Sequence, residues 1–194
     1  MLDVPSLGSG GPSPGRSGPD WQNPAVLRTR PARPDDAGPV AGVHVRSWQV
    51  AYRGLLPDDY LDGLRPEDRV TRYTFGSSDP DAPSTTVATE DGVICGFVTT
   101  GPSRDEDSTT GGEVLALYVD PQAWGCGVGR LLMGEARLHM VRRGFTTAVL
   151  WVLVGNDRAQ RFYRADGWEP DGRGRSAEVW NVAVDELRYR RPLP

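Results

Sequence analysis

Trp124-Gly125-Cys126-Gly127-Val128-Gly129 joins an apolar run to an amphipathic one, and this stretch decides the fold. The run before it, residues 113–119, is closed by Asp120-Pro121 and is typical of a buried strand. After it, apolar residues recur at helical spacing to about Arg143, and Gly144 is a stop signal. Glycine tolerates positive φ and allows close approach of the main chain. A strand, a glycine loop and a helix N-terminus therefore predict backbone N–H groups that bind a phosphate.

Several designs use such a loop. The mononucleotide P-loop requires a Gly-Lys-Ser/Thr ending, and the chain contains no lysine, which excludes it. The dinucleotide fingerprint requires a later third glycine, and the next predicted strand ends in Val154-Gly155-Asn156 instead of an acidic residue. A loop that only turns a strand into a helix remains an alternative. A third design with this outline is a pyrophosphate cradle for coenzyme A.

Two blocks carry a resemblance to a known family. The glycine loop is similar to the Gln/Arg-x-x-Gly-x-Gly/Ala signature of the GNAT superfamily of acyl-CoA-dependent N-acyltransferases, except that Trp124 stands at the first position. The segment from Asn156 to Trp168 resembles the family's Asn-x-x-Ala-x-x-Phe-Tyr-x-x-x-Gly-Phe block. The resemblance extends from about residue 27 to the C-terminus.

The resemblance implies an α/β fold with a mixed, mostly antiparallel central sheet flanked by helices and with splayed central strands. Acetyl-CoA is then expected to enter the gap between the strands that end near Val119 and Val154. The residues implied to hold it are Leu117, Tyr118 and Val119 through their main chain, the loop residues Trp124, Gly125, Cys126, Gly127, Val128, Gly129 and Arg130, and Asn156.

Acyl transfer to an amine requires a base for the ammonium and an acid for the thiolate. By its position in the resemblance, Glu113 is expected to be the base and Tyr163 the acid. The alternatives are an exposed carboxylate at a strand end and a tyrosine that only packs its helix. His44, Trp48 and Tyr52 share one helix face and are expected to contact the acceptor, although such a stripe is also typical of a core.

The remaining patterns predict the order of elements. A short strand near residues 25–30 precedes a helix from about Pro34, and a second helical stretch covers residues 66–75. Strands 85–90 and 93–100 form a hairpin turned by Asp91-Gly92. The polar segment 102–112 is expected to be mobile or to face the substrate. A strand at 146–154, a helix at 157–165 capped by Asn156, and one or two strands within 178–190 complete the domain.

Composition limits the remaining possibilities. Gly, Pro and Ser make up more than half of residues 1–25, which predicts a disordered tail before a single domain at 26–194. No secretory or membrane-spanning segment is recognisable, so we predict a cytoplasmic protein. The net charge of -4 argues against nucleic acid as a partner and is compatible with a cationic acceptor. Cys95 and Cys126 lack metal-ligand spacing, and no metal is expected.

The leading hypothesis is an N-acetyltransferase that moves an acetyl group from acetyl-CoA directly to a primary amine of a small molecule or peptide. The alternatives are a non-catalytic acyl-CoA-binding or sensor module and a nucleotide-dependent enzyme. The sequence identifies neither the acceptor nor the acyl length, and it leaves a homodimer open.

Overall fold

The computed structural model describes residues 26–79, 81–108, 110–179 and 182–194. The predicted disorder of residues 1–25 lies outside these ranges. The strands are β1 (Leu27–Pro31), β2 (Ser84–Glu90), β3 (Val93–Pro102), β4 (Gly112–Val119), β5 (Thr147–Leu153), β6 (Glu169–Val179) and β7 (Val182–Pro192). The α-helices are α1 (Ala37–Ala51), α2 (Asp58–Gly63), α3 (Glu67–Val70), α4 (Val128–Arg142) and α5 (Asp157–Ala165). None of the helices in these ranges is long and apolar enough to span a bilayer.

The seven strands form one sheet in the order β1-β2-β3-β4-β5-β7-β6. Neighbouring strands are antiparallel, except that β4 runs parallel to β5. This parallel pairing covers Gly112–Val114 against Ala148–Leu150, after which the two strands separate. The structure thus confirms a mixed, mostly antiparallel sheet with splayed central strands.

Turn and cap residues in the sequence correctly predicted where several helices and strands begin or end. Asp91 and Gly92 turn the β2–β3 hairpin with φ values of 49° and 85°. The Asn156 side chain accepts a hydrogen bond from the Ala159 N–H at 3.1 Å and caps α5. Gly144, at φ 84°, follows the end of α4.

Three elements differ from the prediction. The helix expected at 66–75 is reduced to the single turn of α3, and the six-residue α2, which is too short to show a periodic pattern, was missed. Strand β6 begins at Glu169 instead of near Glu178. Its register shifts between Pro170 and Gly174, and this irregularity hides the alternation that predicts a strand.

The helices cover the two faces of the sheet. On one face α4 and α5 bury a core that includes Leu132, Met140 and Trp168. On the other face α1 packs Val40 and Val43 against Val87 and Phe97. Between the separated ends of β4 and β5 neither core closes the sheet, and a cleft opens there.

Candidate active site

A cleft of about 1110 Å³ occupies the gap, and residues from both faces of the sheet line it. Every residue that the sequence predicted for the site lines this cleft except Cys126. The Cys126 N–H is directed to the Ala123 carbonyl at 3.4 Å, and its thiol is exposed. The structure therefore brings the predicted site together around a single cavity.

The glycine loop forms an open cradle at the start of α4. Gly125 and Gly127 adopt φ values of 82° and 87°, and a Cβ added to either would meet no atom within 4 Å. The first helical hydrogen bond of α4 runs from the Leu131 N–H to the Gly127 carbonyl at 3.0 Å. The N–H groups of Val128, Gly129 and Arg130 precede it and have no acceptor within the helix. This arrangement is suited to an anion.

Gly129 is needed for a different reason. A Cβ at this position would lie 3.3 Å from the Phe162 ring. The third glycine therefore lets α4 and α5 approach each other beside the cradle.

The backbone N–H and C=O groups of successive β4 residues point alternately toward β3 and into the gap. The Asp120 N–H donates to the Cys95 carbonyl of β3 at 2.8 Å. Alternation along the strand then turns the polar groups of Val119 and Leu117 into the gap and those of Tyr118 toward β3. Leu117 and Val119 thus present main chain to the cleft, whereas Tyr118 contributes its side chain.

Trp124 is held at the edge of the cradle. Its indole N–H donates to the Val119 carbonyl at 2.8 Å, and the Ser47 hydroxyl donates to the same carbonyl at 2.7 Å. The guanidinium of Arg158 lies over the Trp124 ring, with its central carbon 3.5 Å from the ring centroid. Within the described ranges, neither Arg158 nor Arg130 forms an ion pair with a carboxylate. The cradle wall therefore carries two cations available to an anionic ligand.

Tyr163 of α5 reaches the cleft from the α4 side of the sheet and is buried. Burial raises the pKa of its hydroxyl well above the usual value, and the neighbouring Tyr118 adds to the rise. Its hydroxyl therefore remains protonated through the neutral pH range.

Aromatic side chains form the α1 side of the cleft. His44 stacks on Tyr118 with centroids 4.8 Å apart, and Trp48 contacts Tyr52 edge to face at 4.9 Å. The His44 Nδ1 lies 2.6 Å from the Tyr73 hydroxyl. Burial lowers the pKa of His44 to about 3, with a further contribution from Arg69. The His44 ring is accordingly neutral at physiological pH.

Glu113 of β4 is fully engaged. Its side chain is 2% exposed, and Arg104 holds both of its oxygens. The Arg104 Nη2 donates to Oε1 at 2.6 Å, while its backbone N–H and Nε donate to Oε2 at 3.0 and 3.2 Å. The alternative of an exposed carboxylate at a strand end is wrong. Three hydrogen bonds from Arg104 thus leave the Glu113 carboxylate little remaining acceptor capacity.

The segment 102–112 was expected to be mobile or to face the substrate; its described residues are anchored, and Arg104 lines the cleft. It contains a 3-10 turn at Glu106–Ser108. Arg188 of β7, 2% exposed, forms ion pairs with Asp105 at 3.0 Å, Asp107 at 2.7 Å and Asp171 at 2.7 Å. This cluster fixes the loop that carries Arg104.

Sequence reasoning missed the cleft residues of the C-terminal hairpin. Glu186 and Arg175 line the cleft and form an ion pair at 2.7 Å, and the Arg175 guanidinium lies 4.0 Å from the centroid of Trp151. A period-two pattern is visible in residues 182–192, but it does not reveal which face meets the cleft. The described ranges contain no cluster of three or more residues suited to hold a metal ion.

The sequence profile of the Acetyltransferase (GNAT) family matches residues 47–168, more than half of the chain. The chain belongs to the GNAT family. It is similar to an uncharacterized N-acetyltransferase of Archaeoglobus fulgidus, 33% identical over 155 residues that cover 78% of this chain and 100% of that protein. It is also similar to the uncharacterized N-acetyltransferase YuaI of Bacillus subtilis, 29% identical over 68% of this chain and 74% of YuaI.

A third relative differs in extent. The mycothiol acetyltransferase of Propionibacterium freudenreichii is 30% identical over 81% of this chain, but the match covers 47% of that protein. The chain thus spans about half the length of this relative.

Solved structures agree in fold. The PaiA N-acetyltransferase of Thermoplasma acidophilum in complex with coenzyme A superposes with a TM-score of 0.64 at 18% identity, covering 86% of this chain and 99% of that one. YncA of Salmonella typhimurium, solved with acetyl-CoA, gives 0.63 at 19% identity, covering 87% of this chain and 94% of that one. At these identities the likeness shows the GNAT fold.

Proposed function

We propose that this GNAT acetyltransferase transfers an acetyl group from acetyl-CoA directly to a primary amine of a small molecule or peptide. The observation that carries the proposal is the open glycine cradle at the start of α4, joined to the gap between β4 and β5. The cradle offers a diphosphate free backbone N–H groups and open space beside Gly125 and Gly127. Arg158 and Arg130 add positive charge at its wall. The neighbours solved with coenzyme A and acetyl-CoA support the same ligand.

The residues of the gap then have separate roles. The Val119 N–H, directed into the gap, would stabilise negative charge that develops on the acyl oxygen. Tyr163, kept protonated by burial, would donate a proton to the departing sulfur. The Asn156 side chain, whose oxygen caps α5, retains its amide N–H groups for the pantetheine arm. His44, Trp48 and Tyr52 would contact the acceptor.

Calorimetry and a thiol-release assay test the proposal. The protein should bind coenzyme A, and it should release free thiol from acetyl-CoA when offered tyramine, spermidine, kanamycin or a peptide with a free N-terminus. Tyr163→Phe should lower kcat by about 100-fold, because it removes a general acid, and should leave coenzyme A affinity unchanged. Tyr189→Phe is the matched control, since the Tyr189 hydroxyl bonds to Gln160 outside the cleft. Absence of heat with coenzyme A would refute the proposal.

The second candidate is a non-catalytic acyl-CoA-binding or sensor module. The observation in its favour is the set of three hydrogen bonds from Arg104 to the two Glu113 oxygens, which ties the predicted base to a cation. Coenzyme A binding without turnover of any of the four amines would favour this candidate over the enzyme.

A further inference from the structure

Glu186 is a second carboxylate in the acceptor half of the cleft. It lies on β7 opposite Leu153 of β5, at the point where β5 has separated from β4. Leu153 and Val184 belong to the core cluster on the α1 side of the sheet, and Glu186 shares their face by strand alternation. Its side chain is 12% exposed and lines the cleft.

The two carboxylate oxygens of Glu186 differ in their partners. The Arg175 Nε and Nη2 both bind Oε2, at 2.8 and 2.7 Å. Among the residues that the structure describes, Oε1 accepts no hydrogen bond. Glu113, in contrast, has both oxygens occupied by Arg104. Glu186 is therefore a mostly buried carboxylate with spare acceptor capacity in the cleft, whereas Glu178, which also lines the cleft, is exposed.

Arg175 also fixes the orientation of Glu186. Its guanidinium is held between the Glu186 carboxylate and the face of Trp151, 4.0 Å from the ring centroid. Because Arg175 is restrained on both sides, it holds the Glu186 carboxylate in one position. Little conformational entropy would then be lost when a ligand binds to Oε1.

Glu186 faces the groups at the centre of the cleft. Burial is the main cause of the raised pKa values of Tyr52 and Tyr118, and the charge of Glu186 adds to both. Burial likewise raises the pKa of Tyr163, and Tyr118 adds to that rise. Glu186 also interacts with Arg104. The carboxylate is thus electrostatically coupled to the tyrosines that surround the proposed reaction site.

We propose that Glu186 binds the ammonium group of the acceptor through Oε1 and takes its proton, and that Glu113 anchors Arg104 and the β3–β4 loop. This assignment rests on the proposed acetyl transfer. Aromatic faces beside one free carboxylate oxygen suit a cationic amine.

The proton and electron balance is complete with groups already described. The ammonium loses one proton to Glu186, and the freed lone pair forms the C–N bond. The C–S bond breaks, its electron pair goes to sulfur, and sulfur takes the Tyr163 proton. The second nitrogen proton restores Tyr163, and Glu186 releases its proton to solvent.

The test compares three Glu→Gln variants with acetyl-CoA and the four amines named above. Glu186→Gln keeps an oxygen for Arg175 but cannot accept a proton, so kcat/KM at pH 7 should fall by about 100-fold with coenzyme A affinity unchanged. The deficit should shrink as the pH rises to 9, because more of the amine is already deprotonated in solution. Glu169→Gln, an exposed position on β6 outside the cleft, should retain the rate. Glu113→Gln should lower the melting temperature.

Each outcome decides the assignment. If Glu186→Gln stays within threefold of the unaltered protein, the assignment is wrong while acetyl transfer stands. The same holds if Glu113→Gln gives the larger loss at an unchanged melting temperature, since Glu113 would then be the base. If the unaltered protein neither acetylates nor is thermally stabilised by any of the four amines, the assignment fails together with the proposed function.

Discussion

Gly127 must adopt a left-handed conformation and leave the cradle open. Gly127→Ala should cost about 1 kcal/mol of folding free energy, because a Cβ is strained at φ 87°. The added methyl would also project into open space at the cradle, and we expect coenzyme A binding to weaken by about tenfold, the equivalent of 1.4 kcal/mol. Urea denaturation and calorimetry measure the two effects.

Gly134, in the interior of the same helix, provides the matched control. A Cβ there meets no atom within 4 Å and φ is ordinary, so Gly134→Ala should stabilise the protein by about 0.5–1 kcal/mol. Equal losses in the two variants would contradict a special role for Gly127.

Arg158 stacks on Trp124 and has no carboxylate partner in the described part of the chain. Arg158→Gln should weaken coenzyme A binding by about fivefold, as expected for an exposed ionic contact of about 1 kcal/mol. The loss should diminish at high salt, because screening already weakens the contact in the unaltered protein. Arg161→Gln changes the same chemistry on the same helix outside the cleft and should have little effect. Equal affinities for both variants would exclude a role for Arg158.

The β3–β4 loop depends on the buried Arg188. Arg188→Leu should destabilise the protein by about 3 kcal/mol, because it removes the buried cation that pairs with all three carboxylates and leaves them only more exposed arginines. It should also loosen Arg104 and with it Glu113. Arg173→Leu removes an arginine that is 59% exposed from the same cluster and should cost less than about 1 kcal/mol. Urea denaturation midpoints of the two variants check this, and similar values would contradict a central role for Arg188.

The stability of the whole molecule should fall as the pH decreases from neutral. His44 titrates at its usual 6.5 when unfolded and at about 3 when folded, so the unfolded state binds more protons between these values. Its contribution is fully present above pH 6.5 and is lost progressively toward pH 3. Between pH 7.5 and 5 we expect a loss of about 2 kcal/mol, at 1.36 kcal/mol per pH unit below 6.5.

Variants separate the contributions to this pH dependence. His44→Gln should remove most of the slope of unfolding free energy against pH, whatever its effect on absolute stability. His139→Gln should remove less of the slope, and the opposite order would contradict the role of His44.

Arg188 holds the pKa of Asp107 below its usual range. The contribution of Asp107 to the free energy of unfolding is therefore complete above about pH 4 and is lost at lower pH.

The parts of the fold that were predicted depend on residues close together in the chain. The glycine loop, the Asp91-Gly92 turn and the Asn156 cap each require a backbone conformation or a hydrogen bond spanning a few positions. Such local preferences are encoded directly in residue type, and so is the helical stripe that follows the glycine loop. The order of these segments also carried the resemblance to the GNAT family.

The tertiary structure alone decided which charges meet in the cleft. Glu113 and Arg104 occur nine positions apart, but their pairing depends on the loop that Arg188, more than 80 positions later, holds in place. Glu186 reaches the gap because β7 pairs with β5 after β5 has left β4. Periodicity specifies that a strand has two faces, and only strand order and register determine what each face meets. The sequence by itself therefore determined the glycine cradle and the class of fold, while the packed sheet decided which carboxylates line the cleft and which of them are paired with arginine.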